Sequence, residues 1–492
     1  MKNLTLAFIS FILTFSVIQA QWVQIGQNIY GDSEYGYSGS SVSLNSNGSF
    51  VAIGTPENDG GGSGDGLVRT YQNVNDNWSQ IGQDIVGEQN YCELGTSVSM
   101  NSDGSVVAIG IPYFTGDGGD MPNEGVVCIY QYYNEGWIRI GDSIFGVNAF
   151  DYCGSSVSIN SDGDIVAIGS PWNCGNGTSS DAGQVRVFMN NGGSWTQFGQ
   201  DINGDDGDLC GSSISLSASG YVVAIGSYAH DESTGRVRVY ENLGGSWTQI
   251  GEDFVGDAPG DFLGWSVSLS ADGDYVAMGA FGNDVNGTDA GLARIYYFSV
   301  NSWLQVGQDI YGESGDESGR SISLNEDGSV VAVGAPYYSS EKGRVRVYQN
   351  INGDWVQFGE DIEGETAYEE SGESVSLSYD GSVVAVGAPY NSTNAINQGV
   401  VRVYNNPFTD ISDFSNSEVS VYPNPTKGLV HIESSTLKAK TITVSSITNK
   451  TVIEKEITGK NESIDLSDFE KGVYILRIQM NGKTITTRII KE

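Results

Sequence analysis

Hydrophobic and polar residues alternate with a period of two in short segments along residues 21–405, and four such segments recur in a fixed order. The first segment reads Trp-x-x-(Ile/Phe/Val)-Gly, and the second reads Ser-(Val/Ile)-Ser. The third reads (Val/Ile)-Ala-(Ile/Met/Val)-Gly, and the fourth reads Val-Arg-Val-Tyr or a close variant. Segments rich in β-branched and aromatic residues and bounded by Gly, Asn, Asp or Ser are typical of short β-strands.

The set of four segments occurs seven times, which predicts an all-β fold, a seven-bladed β-propeller over residues 21–405. The tryptophans are Trp22, Trp78, Trp137, Trp195, Trp247, Trp303 and Trp355. The Ser-x-Ser segments begin at Ser41, Ser97, Ser156, Ser213, Ser266, Ser321 and Ser374. The central alanines are Ala52, Ala108, Ala167, Ala224, Ala277, Ala332 and Ala385, and the closing aromatic residues are Tyr71, Tyr130, Phe188, Tyr240, Tyr296, Tyr348 and Tyr404.

The spacing between segments separates two kinds of connection. The serine and alanine segments always lie 11 residues apart, and six residues always separate the closing aromatic residue from the next tryptophan, which predicts two fixed hairpins. The connection from the alanine segment to the closing strand varies in length, and the connection after each tryptophan strand varies in sequence. In a four-stranded antiparallel blade these two variable connections share a face, and we expect binding residues there.

The order of the segments also predicts how the ring closes. The chain begins with a lone tryptophan strand, residues 21–30, and no tryptophan strand follows Tyr404. We expect the first strand to complete the last blade, because closure covers a strand edge that would otherwise invite aggregation.

The repeats resemble FG-GAP-type repeats, which build the propeller of integrin α subunits and of many bacterial surface proteins. The matching residues are Gly-x-Ser-Val-Ser-Leu, Val-Ala-Val-Gly-Ala-Pro-Tyr at 331–337 and 384–390, and Gly-x-Val-Arg-Val-Tyr. The resemblance covers all seven units and implies the propeller fold, but the family is functionally diverse.

Integrin-type repeats often carry a calcium loop between the serine and alanine strands, and two turns here are the nearest matches. Their acidic residues are Asp162 and Asp164 in one turn and Asp272 and Asp274 in the other. These turns are shorter than the family's loop, and calcium requires six to eight oxygen ligands. The alternative interpretation is a plain turn, because Asp and Asn before Gly favour this backbone without a metal.

Aromatic residues recur just after the alanine strand and form the candidate ligand site. They are Tyr113, Trp172, Tyr228, Phe281, Tyr337 and Tyr390, with Glu57 at the related place in the first repeat. On the variable face such rings can stack on sugars or anchor a protein, since Tyr and Trp combine apolar area with a polar tip. The alternative is that they pack structurally between neighbouring blades.

Acidic residues dominate residues 21–405, with 50 Asp plus Glu against 11 Lys plus Arg. This charge excludes nucleic acid as a partner and favours a cation, a neutral glycan or a basic protein. Many of the acids lie in the links before the serine strands, which could recruit calcium or a basic partner or simply form a solvated surface. The same region holds five cysteines, of which Cys153, Cys174 and Cys210 are candidates for a disulfide with Cys174 as the shared partner.

Catalytic motifs are not evident in the sequence. His230 is the one histidine of residues 21–405, and no nucleophile motif accompanies it. We therefore predict a non-enzymatic binding or adhesion protein without a cofactor, with glycan or protein as its ligand. The alternative is an extracellular polysaccharide hydrolase or lyase that uses acids of the variable face.

The ends of the chain predict export. Residues 1–20 carry one cation, an apolar run and a small residue, Ala20, at their end, which is typical of a signal peptide. No comparable apolar run follows, so no transmembrane segment is expected. From residue 406 onward the charges balance, with 11 basic and 11 acidic residues, and a polar linker at 406–418 precedes a small β-sandwich (Ig-like) domain at 419–492.

This tail resembles the C-terminal sorting domain of the type IX secretion system of Bacteroidota. The matching residues are Tyr422, Pro423, Asn424, Pro425 and Gly428, then Ile464-Asp465-Leu466-Ser467, then Gly472 and Tyr474, and a basic end. The resemblance implies recognition by the type IX machinery after passage through the inner membrane. We therefore expect a protein that is secreted or held at the outer surface of a Gram-negative bacterium.

Overall fold

A computed structural model describes residues 21–58, 64–116, 121–174 and 181–406 of the propeller region. In the tail it describes residues 419–422, 426–434, 439–446, 451–456, 461–467, 469, 471–480 and 483–491. The expected signal peptide, residues 407–418 of the expected linker and the motif residues Pro423, Asn424 and Pro425 lie outside the described residues. The chain divides into two compact units, and the larger comprises Gln21–Pro407.

Seven antiparallel sheets form the larger unit, so the expected seven-bladed β-propeller is confirmed. In each blade the serine strand is innermost, followed by the alanine strand, the closing strand and the tryptophan strand at the outside. The innermost strands are Ser41–Leu44, Ser97–Met100, Ser156–Ile159, Ser213–Leu216, Ser266–Leu269, Ser321–Leu324 and Ser374–Leu377. The second strands are Phe50–Thr55, Val106–Ile111, Ile165–Ser170, Val222–Ser227, Tyr275–Ala280, Val330–Ala335 and Val383–Ala388.

The third strands are Leu67–Asn73, Val126–Tyr133, Gln184–Asn190, Arg236–Asn242, Leu292–Ser299, Arg344–Ile351 and Val400–Asn405. The outer strand of the first blade is continuous, Trp78–Val86, whereas in the other blades it is split in two. The pairs are Gly136–Arg139 with Ile144–Phe145, Trp195–Gln197 with Ile202–Asn203, Trp247–Gln249 with Phe254–Val255, Ser302–Gln305 with Ile310–Tyr311, Asp354–Gln357 with Ile362–Glu363, and Val23–Gln24 with Ile29–Tyr30. Two short helices, His230–Ser233 and Tyr338–Glu341, lie in the loops before the third strands of the fourth and sixth blades.

The N-terminal strand closes the ring, as the segment order predicts. Val23 and Gln24 pair with Asn405 and Tyr404, and the following strand, Ile29–Tyr30, pairs with the start of the same third strand. Trp22 is buried, and its indole Nε1 donates a hydrogen bond to the carbonyl of Phe358 in the sixth blade at 2.9 Å. The first ten residues of the propeller region therefore supply the outer edge of the seventh blade.

The repeated Trp-x-x-Φ-Gly motif, where Φ is Ile, Phe or Val, joins each blade to the next at its outer edge. The indole Nε1 of Trp303 donates to the carbonyl of Ile250 at 3.0 Å, and the adjoining Gly251 lies directly against the indole. A Cβ at Gly251 would lie 2.3 Å from Cδ1 of Trp303, and its φ of +72° also favours glycine. Trp137 differs, because its indole donates instead to Thr70 Oγ1 in the continuous first blade.

Serine side chains join neighbouring innermost strands around a central channel. One serine hydroxyl of each innermost strand accepts a hydrogen bond from the backbone N–H that ends the innermost strand of the next blade. The N–H to Oγ pairs are Leu44–Ser376, Met100–Ser43, Ile159–Ser99, Leu216–Ser158, Leu269–Ser215, Leu324–Ser268 and Leu377–Ser323. These bonds close a ring of seven and explain why serine alternates with apolar residues in this segment.

The channel ends at the face that carries the serine–alanine hairpins. Its walls enclose about 130 Å³ and include the apolar residue that ends each innermost strand. Tyr379 reaches across the channel, and its hydroxyl is hydrogen-bonded to that of Ser161, three blades away around the ring. This tyrosine therefore narrows the channel at the hairpin face, opposite the variable connections.

The tail forms two sheets. One contains the strands Val419–Tyr422, Leu429–Ser434 and Asn461–Asp465, and the other contains Ala439–Ser446, Thr451–Glu456, Gly472–Met480 and Lys483–Lys491. Their buried residues form one core that includes Val430, Ile442, Leu466, Leu476 and Ile489. The described part of the tail is thus β-rich.

Candidate functional site

The variable connections meet on one face of the propeller. Parallel bridges join the residue before each third strand to the link that enters the next innermost strand, as between Gly125 and Cys153. Side chains reinforce this contact, because Asn173 of a loop after a second strand donates to Asp151 of a link at 2.8 Å. The loops and links therefore form one continuous surface, as the strand order predicts.

One residue in each link has a left-handed backbone. It lies four residues before the serine strand, and its φ is between +50° and +57° in every blade. The seven residues are Tyr37, Glu93, Tyr152, Leu209, Phe262, Glu317 and Glu370. They are not among the predicted ligand-binding residues, because only their constant offset from the serine strand distinguishes them from other loop residues in the sequence.

The second and third blades form a cavity of about 280 Å³ on this face. Tyr113 and Trp172 of the predicted aromatic set line it, and Tyr152 lies between them with ring centroids 5.2 Å from Tyr113 and 6.2 Å from Trp172. Tyr113 is 39% exposed and Trp172 is 44% exposed, so both rings present apolar surface to solvent. We refer to this cavity, with Glu93, Thr96, Pro112 and Ser155 in its wall, as the aromatic pocket.

Glu93 supplies the charge of the aromatic pocket. Burial raises the pKa of its carboxyl to about 7, and the neighbouring charge of Glu57 acts in the same direction. Within the described part of the chain, no side chain or backbone N–H donates a hydrogen bond to this carboxyl. The pocket therefore combines three aromatic rings with an acid that is balanced between its protonated and ionised forms at neutral pH.

The other four predicted aromatic residues are arranged differently. Tyr390 is 38% exposed and packs edge-on against Tyr37 at 5.1 Å. Tyr228 and Phe281 lie against Trp265 at 4.8 and 4.9 Å, so these half-buried rings pack between blades. The predicted set is thus divided between exposed rings and rings that serve packing.

Arg320 occupies the centre of a second cluster, between the fifth, sixth and seventh blades. Its guanidinium carbon lies 5.0 to 5.5 Å from the ring centroids of Trp265, Phe281 and Tyr337. It also pairs with Glu317 at 2.8 Å and with Glu373 at 3.1 Å. The guanidinium of Arg320 therefore makes cation–π contacts with three rings and ion pairs with two carboxylates. We call these residues the arginine cluster: Arg320, Glu317, Glu373, Trp265, Phe281 and Tyr337.

Buried acids hold the links before the innermost strands. Asp151 accepts hydrogen bonds from the backbone N–H groups of Val147 and Asn148 at 2.9 and 2.8 Å. Glu369 accepts two hydrogen bonds from Arg402, and both residues are almost completely buried. Asp151 and Glu369 are therefore structural anchors, whereas neighbours such as Glu365 are exposed.

The four calcium candidates lie in tight turns that satisfy their own hydrogen bonds. Asn160 accepts from the backbone N–H of Asp164 at 3.0 Å and donates to its carboxylate at 2.8 Å. Asp272 accepts from Ser270 Oγ at 2.6 Å and from the backbone N–H of Asp274 at 2.9 Å. No group of three or more acids, histidines or cysteines with metal-binding geometry occurs among the described residues.

The predicted disulfide is not present in this structure. All five cysteines fall within the described ranges and are free thiols. Cys153 and Cys210 are buried at the link position that Leu94 and Leu263 fill in other blades, whereas Cys174 is exposed. These two cysteines therefore serve as core residues, and burial raises the pKa of both thiols, which disfavours the reactive thiolate.

Comparison with known proteins identifies the tail. Residues 420–492 match the family described as the secretion system C-terminal sorting domain. The tail is a secretion sorting domain. The chain is thus a propeller protein that carries a signal for type IX export. Export by this system leads to secretion or to the cell surface. Among the described residues, no helix is long and apolar enough to cross a membrane.

The propeller has structural relatives but no curated match. No curated protein matches the chain. Among solved structures, the periplasmic gluconolactonase PpgL of Pseudomonas aeruginosa is similar, with a TM-score of 0.45 and 15% identity over 66% of this chain and 85% of that chain. A likeness at this level concerns the fold alone.

The described motif residues of the sorting domain lie in its two sheets. Tyr422 ends the first strand, where it pairs with His431 and is 43% exposed. Gly428 lies against Ser467, and a Cβ at this glycine would lie 2.3 Å from the serine Oγ. Gly472 begins a strand in which Tyr474 is buried in the core of the domain.

Proposed function

We propose that the exported protein is a binding module that uses the variable face of its propeller to hold a glycan at the cell surface. The observation that carries the proposal is the aromatic pocket, where Tyr113, Tyr152 and Trp172 surround a cavity of about 280 Å³. Aromatic rings stack on the apolar faces of sugar rings, and hydroxyls such as those of Thr96 and Ser155 suit sugar hydroxyls. The sorting domain is consistent with a site of action outside the cell.

The placement of the pocket supports a binding role. It is built from the loops and links that vary most between repeats, whereas a serine contact and a tryptophan contact join the second and third blades beneath it. Binding residues concentrate on variable loops that a rigid scaffold positions. Exposed aromatic rings that are not needed for packing therefore favour contact with a ligand.

A glycan array with the mature chain, residues 21–492, tests the proposal. We expect saturable binding that falls at least about tenfold in Trp172→Ala, since loss of a stacked aromatic anchor typically costs more than 1 kcal/mol. Tyr133→Ala is the matched control, because Tyr133 is 61% exposed but lies at the hairpin between a third and an outer strand. Equal binding by wild type and Trp172→Ala, or equal loss in both variants, would contradict the proposal.

A second candidate function is a hydrolase or lyase that acts on a polysaccharide. The observation that favours it is the pKa of Glu93, which burial raises to about 7, because a general acid must hold its proton near the working pH. Reducing-end or unsaturated products released from a bound polysaccharide, and abolished in Glu93→Gln, would establish this function in place of simple binding.

A further inference from the structure

The arginine cluster and the aromatic pocket occupy equivalent positions in different blades. In the sixth blade, Glu317 and Arg320 lie four and one residues before the serine strand, and Tyr337 follows the second strand. In the second blade, the same three positions are Glu93, Thr96 and Tyr113. The aromatic pocket thus has an acid and an aromatic ring at the same positions as the arginine cluster. At the third position it has Thr96 where the cluster has Arg320.

This replacement leaves the acid without an internal cation. Glu317 pairs with Arg320 at 2.8 Å. Glu93 has no ion pair in the described residues, and it is the one charged side chain in the wall of the aromatic pocket. Glu369 of the seventh blade, by contrast, is buried with Arg402 and Asn391 as partners.

We propose that the aromatic pocket binds a protonated amino sugar, whose ammonium group takes the place that Arg320 fills in the sixth blade. The inference rests on the proposed glycan-binding function and names the class of sugar. An ammonium group between Glu93 and the rings of Tyr113, Tyr152 and Trp172 gains both an ion pair and cation–π attraction. A neutral sugar would offer Glu93 hydroxyl donors but no opposite charge, and an acidic sugar would be repelled by Glu93 and Glu57.

The size of the pocket and the charge of the domain fit this ligand. A volume of about 280 Å³ is at the lower end of small-molecule sites, which suits a single sugar unit of a longer chain. The propeller region carries 50 acidic against 11 basic residues, so it attracts a polycationic glycan over a distance before contact. The hydroxyls of Thr96 and Ser155 donate to the carbonyls of Glu93 and Tyr152, and their lone pairs can still accept from sugar hydroxyls, which favours a sugar over the apolar stem of a lysine side chain.

Titration calorimetry of the mature chain with glucosamine oligomers and with N-acetylglucosamine oligomers of equal length tests the inference. We expect the glucosamine oligomers to bind at least about tenfold more tightly, because acetylation removes the charge, and hydrogen bonds to charged groups contribute about 1.5–3 kcal/mol. Glu93→Gln should abolish this preference. Glu135→Gln, which removes an equal charge from an exposed hairpin, should preserve it.

Thr96→Arg supplies a second, independent variant. The introduced guanidinium should pair with Glu93 as Arg320 pairs with Glu317, and binding of the glucosamine oligomers should fall at least about tenfold while the fold is retained. Equal affinity for both oligomers would overturn the amino-sugar inference and leave the glycan function standing. No binding of either oligomer, or Glu93-dependent binding of a lysine-rich peptide alone, would also overturn it.

Discussion

The pairing of Glu369 with Arg402 shows how a strongly acidic protein places its few cations. Arg402 is 1% exposed, and its guanidinium donates to Glu369 at 2.8 Å within the seventh blade. Most other basic residues of the propeller likewise pair with acids of the links or outer strands, as Arg294 does with Asp309 at 2.8 Å. The cations are therefore structural, and the exposed surface is left negative.

Glu369→Gln should lower stability in a pH-dependent way. Burial opposes ionisation of Glu369, but Arg402 outweighs it and holds the pKa of this carboxyl below its ordinary value of 4.5. A carboxyl with a lowered folded pKa contributes stability above pH 4.5, and this stability is lost as the pH falls through the folded pKa. We expect Glu369→Gln to destabilise the mature chain by about 3–5 kcal/mol at pH 7, with a smaller difference below pH 4.

Chemical denaturation at several pH values measures this difference. Glu365→Gln is the matched control, because Glu365 pairs with the same arginine at 3.1 Å but is 52% exposed. An exposed pair contributes about 0–1 kcal/mol, so the control should change stability little. A pH-independent loss in Glu369→Gln would show that packing, and not the charge, explains the effect.

Glu370→Gln should have the opposite effect at alkaline pH. Burial raises the pKa of Glu370 to about 7, and the charge of Glu373 acts in the same direction. A carboxyl with a raised folded pKa favours the folded state below its unfolded pKa, and this contribution is lost as the pH rises through about 7. We expect Glu370→Gln to stabilise the chain by on the order of 2 kcal/mol at pH 8 and to have little effect at pH 4.

Thermal melts of wild type, Glu370→Gln and the exposed-site variant Glu135→Gln at both pH values provide the check. A stabilisation that is the same at pH 4 and pH 8 would contradict the titration argument. Equal stabilisation by Glu135→Gln would attribute the gain to the overall negative charge instead of to the buried site.

At the level of strands and loops, the sequence predicts the scaffold far better than the site. Each strand carries its own signature, because serine binds the neighbouring backbone and glycine accommodates the next tryptophan, as Gly251 accommodates Trp303. The aromatic pocket has no such signature. Tyr152 meets Tyr113 only through contact between neighbouring blades, and the left-handed backbone of Tyr152 and Glu93 is adopted by residues of several types.

The disulfide candidates are free thiols in the structure, for a related reason. Spacing brings Cys153 and Cys210 to matching link positions, but it does not show that this position points into the core. Leu94 and Leu263 at the same position are 1% exposed, so the structural requirement is for a small or apolar buried side chain. Cysteine meets that requirement as a thiol.

Gly251→Ala tests the contact that joins the blades at their outer edge. Alanine at a φ of +72° costs about 1–2 kcal/mol, and the new Cβ, 2.3 Å from Trp303 Cδ1, adds about 1–3 kcal/mol by displacing the indole. Gly245→Ala is the matched control, because its φ is +92° but nothing lies within 4 Å of the added Cβ. Chemical denaturation should show a larger loss of unfolding free energy in Gly251→Ala than in Gly245→Ala. Equal losses would contradict a stabilising role for the contact between Gly251 and Trp303.

At the level of the whole molecule, the propeller depends on a strand taken from the far end of its own sequence. Residues 21–30 lie more than 300 positions from the third strand that they cover, Val400–Asn405. Every other blade is completed by residues that follow it directly. Stability of the ring therefore depends on one long-range closure, which couples the seventh blade to the first residues of the propeller region.

Deletion of residues 21–30 should destabilise the entire propeller and expose Val400–Asn405 as an open strand edge. The deletion removes the buried Trp22, whose indole bonds the sixth blade, and it leaves unpaired backbone groups that promote aggregation. We expect a lower thermal transition temperature and, by light scattering, concentration-dependent aggregation.

The control is a permuted chain in which residues 21–30 follow residue 405 through a linker. The linker keeps the spacing of six residues between the closing aromatic residue and the tryptophan. The permuted chain should regain the wild-type transition, because the strand is restored by the short hairpin that the other six blades use. A truncated chain that melts like wild type would show that the ring is stable with one edge open.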